Sequence, residues 1–239
     1  MSEYTMPVDA MVAVRGLAKR FVLHNQGGAE IRVLRDLDLV VNRGECVALV
    51  GPSGIGKSTI LRCLYGNYLA SAGSLLVRRG EGLIDLATAP PRTILDLRRH
   101  TIGYVSQFLR VIPRVPAIDI VAEPLMALGE SETPAHRRAA DLLARLHIPE
   151  ALWPLAPATF SGGEQQRVNI ARGFIVDFPV LLLDEPTAAL DDMNRQTVVD
   201  MIRERKQDGA AIVGIFHDDA VRDAVADRRY DVTTNRRAA

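Results

Sequence analysis

The chain has 239 residues, 48% hydrophobic and 24% charged, an ordinary globular composition with enough apolar material for a sizeable core. Its 29 Lys and Arg balance 29 Asp and Glu, so no global positive field draws nucleic acid or an anionic membrane surface, and nucleic acid is not an expected partner. Cys46 and Cys63 form no Cys-x-x-Cys pair, the five histidines lack ligand spacing, and no apolar run approaches the roughly 18 residues of a membrane span; a cytoplasmic chain with no zinc site, disulfide framework or direct membrane insertion is expected.

Along the chain, apolar residues alternate at Ile31, Val33, Leu37, Leu39 and Val41, the period of a half-buried strand, and Asn42-Arg43-Gly44 reads as a turn. Cys46 to Val50 is a short apolar run that predicts a buried parallel strand, followed by a glycine loop and a helix over Lys57 to Tyr65. The proline pair marks Ala87 to Pro91 as a loop. Ile102 to Val105, Val180 to Leu183 and Ala211 to Phe216 repeat the buried-strand pattern, with helices expected at Glu164 to Val176 and Asp192 to Lys206. This alternation predicts a mostly parallel sheet covered by helices. Between Phe108 and Phe160 prolines recur, and Pro134 to Leu146 reads as an amphipathic helix carrying Leu142, Leu143 and Leu146, which suggests a helical insertion. The prolines argue against a long helix in Phe108 to Leu125, whose mixture of apolar residues with Arg110 and Arg114 suits a partner surface. After Tyr230 a frayed tail is expected.

Gly51-Pro52-Ser53-Gly54-Ile55-Gly56-Lys57-Ser58 fits G-x-x-x-x-G-K-S/T in full. The glycines let successive amides point inward at phosphate oxygens, and the following helix offers its positive end. Lys57 is placed to reach the β- and γ-phosphates of ATP, and the Ser58 hydroxyl to ligate Mg2+. Val180 to Leu183 delivers Asp184 to the edge of the sheet, where its carboxylate can hold the metal, with Glu185 next in line to activate a water. Ser161 and Glu164 form a capping box, yet Gly162 and Gly163 each weaken a helix by up to about 1 kcal/mol relative to Ala. Close approach to an anion accounts for them, and a second anion site on a chain that already has one implies a nucleotide shared by two chains.

Ser161-Gly162-Gly163-Glu164-Gln165, between a complete phosphate loop and a strand ending Asp184-Glu185-Pro186-Thr187, resembles the signature of ATP-binding-cassette (ABC) ATPases, in the family's order. The resemblance implies an α/β fold: a P-loop NTPase core of the ABC nucleotide-binding-domain type, with an N-terminal antiparallel β region and a helical subdomain insertion. On that reading 1–239 is one ATPase domain, with 1–106 and 161–239 as core and 107–160 as insertion. It further implies that loop 51–58 with Thr59 binds ATP, that Gln107 senses Mg2+, and that Ser161 to Gln165 and Asp191 contact nucleotide across a dimer interface. His217 matches the histidine that contacts the γ-phosphate. Phe21 matches the aromatic that stacks on adenine, with core packing as the competing reading. Ala189 stands where the family usually has Ser, and Phe160 where Leu is commoner.

Val105 to Pro113, Asn169 to Val176 and Val213 to Asp218 resemble, more narrowly, the PhnL-type cassette subunit of the carbon-phosphorus lyase system. That resemblance implies ATP hydrolysis in support of phosphonate catabolism, alongside soluble lyase core subunits that form ribose 1-phosphonate 5-triphosphate, and a homodimer or a heterodimer with a related cassette subunit. The competing expectation is the ATPase of a transporter, docked on a separate membrane permease.

Overall fold

A computed structural model describes residues 6–23, 25, 27–109 and 113–234. Of the tail expected to fray after Tyr230, residues 231–234 correct that expectation, with Val232 buried and its amide donating to Val50 O at 3.0 Å, while 235–239 and Arg110 lie outside the described residues. Strands β1 (Ala10–Leu23) and β2 (Ala29–Asn42) pair antiparallel, and the alternating run at 31–41 falls inside β2. With two later antiparallel strands, β4 (Ala72–Arg79) and β5 (Gly82–Asp85), they form a four-stranded sheet in the order β2-β1-β4-β5. Strand β1 escaped the period-two reading because register shifts interrupt its pairing with β2 between Ala10 and Val12 and again between Val14 and Leu17. A bulge advances the side-chain alternation by one residue and blurs the pattern.

At Gly73 the crossing of β4 with β1 leaves no room for a side chain. A Cβ there would sit 2.4 Å from both the Arg15 and Gly16 carbonyl oxygens, at φ 87. These are backbone atoms that cannot swing aside. Gly73→Ala is therefore expected to cost about 2–5 kcal/mol, from left-handed strain plus overpacking. For a chain of this size the melting temperature should fall by roughly 10 °C. Gly80→Ala, at φ 58 with nothing within 4 Å, should lose only the conformational part. Equal melting curves for the two variants would contradict the close crossing.

The second sheet is parallel: β3 (Cys46–Val50), β6 (Ile102–Val105), β7 (Val180–Asp184), β8 (Ala211–Ile215) and β9 (Arg228–Asp231), in the order β6-β7-β8-β3-β9. Its strands are continuous apolar runs because both faces are covered. Alternation along β7 sends Val180 and Leu182 into the core shared with α1 (Lys57–Leu64) and α2 (Pro91–His100), which also holds Ile60, Leu61 and Leu97. Leu181 and Leu183 enter the opposite core, with Val168 and Phe174 of α5 (Gly162–Phe174) and Val198 and Ile202 of α6 (Asp192–Gln207). The Cys46 thiol is pushed up to about 12 and that of Cys63 to about 11, in both cases first by burial. Both belong to the interior, not to chemistry.

Between β6 and α5, helices α3 (Ala117–Ala127) and α4 (Glu132–Arg145) pack on each other and on α5. In α4, Ala135, Ala139 and Leu143 are buried and Leu146 follows them inward, while Leu142 is half-buried. In the segment Phe108 to Leu125 the prolines do not prevent a helix of ordinary length: the 11-residue α3 starts directly after Pro116 and runs through Pro124. Pro116 precedes the first turn, where a missing N–H breaks no helical bond, and Pro124 gives up a single i→i−4 bond. Likewise, Pro91 closes the expected loop by opening α2 at its first position. Helix α7 (Asp219–Val225) follows β8, capped by the Asp218 carboxylate.

Candidate functional site

Because β3, β6, β7 and β8 are parallel, their C-terminal ends share one edge of the sheet. Asp184 ends β7, and loop 51–58, Gln107, Glu185 and His217 lie just beyond these ends. Gly51, Gly54 and Gly56 take φ values of 137, 77 and 109, a backbone course that side chains disfavour. At Gly56 packing excludes one as well, since a Cβ would lie 2.8 Å from Leu34 Cδ2. Gly56 is the N-cap of α1 and offers no side-chain cap, and the first turn holds no acidic residue. Its amides are thus open to an anion. The Lys57 ammonium folds back over the loop and donates to the carbonyls of Gly51 (2.7 Å) and Pro52 (3.0 Å).

Asp184 continues the alternation of β7 onto the α1 side, where it is 2% exposed. Ser58 Oγ donates to its Oδ1 at 3.0 Å, and Tyr104 Oη donates to its Oδ2 at 3.0 Å. Burial first, then the Asp184 charge, holds the Tyr104 phenol above its ordinary pKa, so it remains a donor. A hydroxyl and a carboxylate brought together from two elements are hard oxygen ligands of the kind magnesium takes when substrate phosphates complete its shell. Among the described residues no cluster of three or more His, Cys, Asp or Glu could hold a metal by itself, and this pair beside a phosphate loop needs none. The residues present fit MgATP.

Glu185 lies one residue past the strand, at φ 55, with its amide donating to Ile215 O at 3.0 Å. A non-glycine residue held in the left-handed region costs about 1–3 kcal/mol, a strain that concentrates at functional sites. Its side chain is 15% exposed and gripped on both oxygens: Gln107 Nε2 donates to Oε2 at 2.9 Å, and His217 Nε2 stands 2.7 Å from Oε1. The loop carrying Gln107 is anchored by Asn169 Nδ2, which donates to Ser106 O at 2.6 Å. Gln107, read from sequence as a magnesium contact, thus meets Glu185 and not the Ser58–Asp184 pair.

Ser161 caps α5 with both halves of the capping box formed. The two glycines behind it have separate reasons. A Cβ at Gly162 would meet nothing within 4 Å, whereas one at Gly163 would come 3.0 Å from Ala189 O. Gly162 therefore faces open space, and Gly163 lets the loop 186–191 approach α5. Gln165 Nε2 donates to Phe160 O, and buried Gln166 Nε2 to Pro186 O at 3.1 Å. Asp191, expected to contact nucleotide, caps α6; its carboxyl is held below the usual range by the Asn194 backbone and side chain. Helix α5 lies on the face of the parallel sheet opposite α1, so one chain does not join Ser161–Gly163 to the loop 51–58. Thr59 follows Ser58 in the first turn of α1. Phe21, on β1, has its ring edge-on to Tyr68 (centroids 5.2 Å apart) with Lys19 Nζ 4.8 Å from its centroid.

Tyr104, Asn169 and Gln166 were not identified from sequence. Tyr104 alone had a local signal, as the polar-tipped residue in an apolar strand, but its partner is 80 residues away.

Residues 34–188 match the ABC transporter family model. The chain is 36% identical over 212 residues to an uncharacterised ABC transporter ATP-binding protein of Mycobacterium tuberculosis, covering 89% of this chain and 62% of that one. It thus spans less than two thirds of that relative's length. With the lipoprotein-releasing system ATP-binding protein LolD of Idiomarina loihiensis it shares 36% identity over 211 residues, covering 88% and 89% of the two chains. With the macrolide export ATP-binding/permease protein MacB of Pectobacterium atrosepticum it shares 35% over 210 residues, 87% of this chain and 31% of the other. Among solved structures, a dimeric ATP-binding cassette in a post-hydrolysis state, bound to ADP and Pi, superposes with a TM-score of 0.83 at 28% identity, covering 92% and 94% of the chains.

Proposed function

The chain belongs to the ABC transporter ATP-binding family, and from that premise we propose that it binds and hydrolyses MgATP as a head-to-tail dimer and drives a transporter through a separate membrane permease. The observation that carries the ATPase reading is the gathering of loop 51–58, the Ser58–Asp184 pair and the doubly held Glu185 at one sheet edge. In the reaction, Lys57 exchanges the Gly51 and Pro52 carbonyls for phosphate oxygens. Magnesium, held by Ser58 and Asp184, would neutralise charge on those oxygens. Glu185 orients the attacking water and accepts its proton, while Gln107 and His217 fix the carboxylate. Gly162 and Gly163 point their amides at the nucleotide of the facing chain, the Ser161 amide being taken by Glu164, because their own loop 51–58 lies across the sheet.

We assign residues 1–106 and 161–239 to the ATP-binding core and 107–160 to a helical arm that meets the partner. Phe108, directly after Gln107, is 74% exposed, an apolar side chain at the junction of arm and site. Among the described residues no helix is long and apolar enough to cross a membrane, so on this reading another polypeptide segment supplies the span. LolD and MacB, by their names, belong to lipoprotein release and macrolide export, which favours the transporter over a place beside carbon-phosphorus lyase. The lyase reading keeps the support of the segments Val105 to Pro113, Asn169 to Val176 and Val213 to Asp218. Affinity purification from cells with and without detergent separates the two. A polytopic membrane protein that co-elutes only in detergent is the expected result, whereas soluble phosphonate-degrading subunits in both preparations would replace this reading with the other.

A further inference from the structure

We propose that Tyr104 is a positioning residue for magnesium, its phenol fixing the Asp184 carboxylate so that Oδ1 stays turned toward Ser58. The inference rests on the MgATP reading of the site.

The geometry follows from strand register. β6 pairs with β7 so that Tyr104 stands opposite Leu182, and Asp184 lies two residues further along β7, on the same face. The phenol spans that offset and donates to Asp184 Oδ2 at 3.0 Å, while Ser58 Oγ donates to Oδ1 at the same distance. One carboxylate is thereby held at both oxygens, from β6 on one side and α1 on the other. The Tyr104 ring is itself clamped. Tyr65 stacks against it at 5.0 Å between centroids and 36° between planes. Arg62 donates to Tyr68 Oη at 2.9 Å. Ser58 and Tyr65 are spaced i and i+7, so one face of α1 and its C-cap carries both the Ser58 hydroxyl and the ring that braces Tyr104.

Asp184 is 2% exposed, so water cannot readily replace a lost partner on Oδ2. Without the phenol, the carboxylate is free to turn and satisfy both oxygens from the Ser58 side, which leaves Oδ1 poorly aimed for a cation. Groups that orient a metal-binding carboxylate typically alter metal affinity about 10- to 100-fold when removed.

Tyr104→Phe keeps the ring against Tyr65 and deletes only the hydroxyl. Binding of a fluorescent ATP analogue would be titrated in EDTA and then across a magnesium series, with melting curves recorded alongside. The expected result is an unchanged affinity in EDTA, a melt lowered by no more than the few degrees that one lost hydrogen bond to a buried carboxylate costs, and a magnesium midpoint raised about tenfold. A midpoint equal to that of the parent overturns the assignment. So does a variant whose EDTA affinity falls along with the midpoint, since Tyr104 would then be part of the scaffold only. If the parent protein binds the analogue with no response to magnesium, or does not bind it, the MgATP reading fails and this inference goes with it.

Discussion

Replacing Glu185 by Gln is expected to leave ATP bound and scarcely cleaved, with the single-turnover rate reduced about 10²- to 10⁴-fold, the usual contribution of a positioned general base. The amide matches the carboxylate in shape and can still accept from Gln107 Nε2, so the local structure should survive. What it cannot do is take the proton of the attacking water. The strained φ of 55 belongs to the backbone and does not depend on the charge. Because nucleotide is proposed to bridge two chains, the variant should also accumulate as a dimer when ATP is present, as sedimentation velocity would show. Cleavage at the parental rate would take the base role away from Glu185. Slow cleavage without a dimer would leave Glu185 in place and remove the shared-nucleotide reading.

Lys57→Ala is expected to act one step earlier, on binding. The ammonium is the one side-chain cation of the loop 51–58, and losing its charge-assisted bonds to phosphate oxygens should lower ATP affinity about 10²- to 10³-fold. In the free protein the same group donates to Gly51 O and Pro52 O, of which the second bond is exposed, so water can replace much of what is lost. Stability should therefore change by no more than about 1 kcal/mol. Nucleotide titration read together with a thermal melt tests this. An affinity within about threefold of the parent would show that the loop amides alone bind the phosphates. The two variants separate the roles proposed at this edge of the sheet: one binds without cleaving, the other does not bind.

How the site came to be readable differs from group to group. Loop 51–58 is a local object. Its glycine spacing, the helix behind it and the apolar strand before it are contiguous, and the φ values at Gly51, Gly54 and Gly56 are those the spacing demands. The capping box at Ser161 is equally local and formed as expected. Strands β3, β6, β7 and β8 could be read within one residue because burial on both faces leaves uninterrupted apolar runs. Strand β1 could not, because its bulges break the alternation, and α2 and α3 were hidden by prolines, of which Pro90, Pro91 and Pro116 sit at helix starts, where they do little harm, and Pro124 inside α3 costs a single bond. Gly163 shows how a correct reading can be partial: sequence gave both glycines of the pair to an anion, and packing against Ala189 O accounts for one of them.

The groups proposed to bear chemistry are legible in the sequence, because a phosphate cradle, a helix cap and a carboxylate at a strand end are each made within a few consecutive residues. Which of them meet is set by the tertiary fold. Period-two alternation tells that a strand has two faces but not which helix covers either one. The order β6-β7-β8-β3-β9 supplies that answer: it turns Asp184 toward Ser58 and Tyr104, brings Gln107 and His217 onto Glu185, and sets Ser161 across the sheet from loop 51–58. Those contacts join residues far apart in the chain, and strand pairing, not local propensity, fixes them.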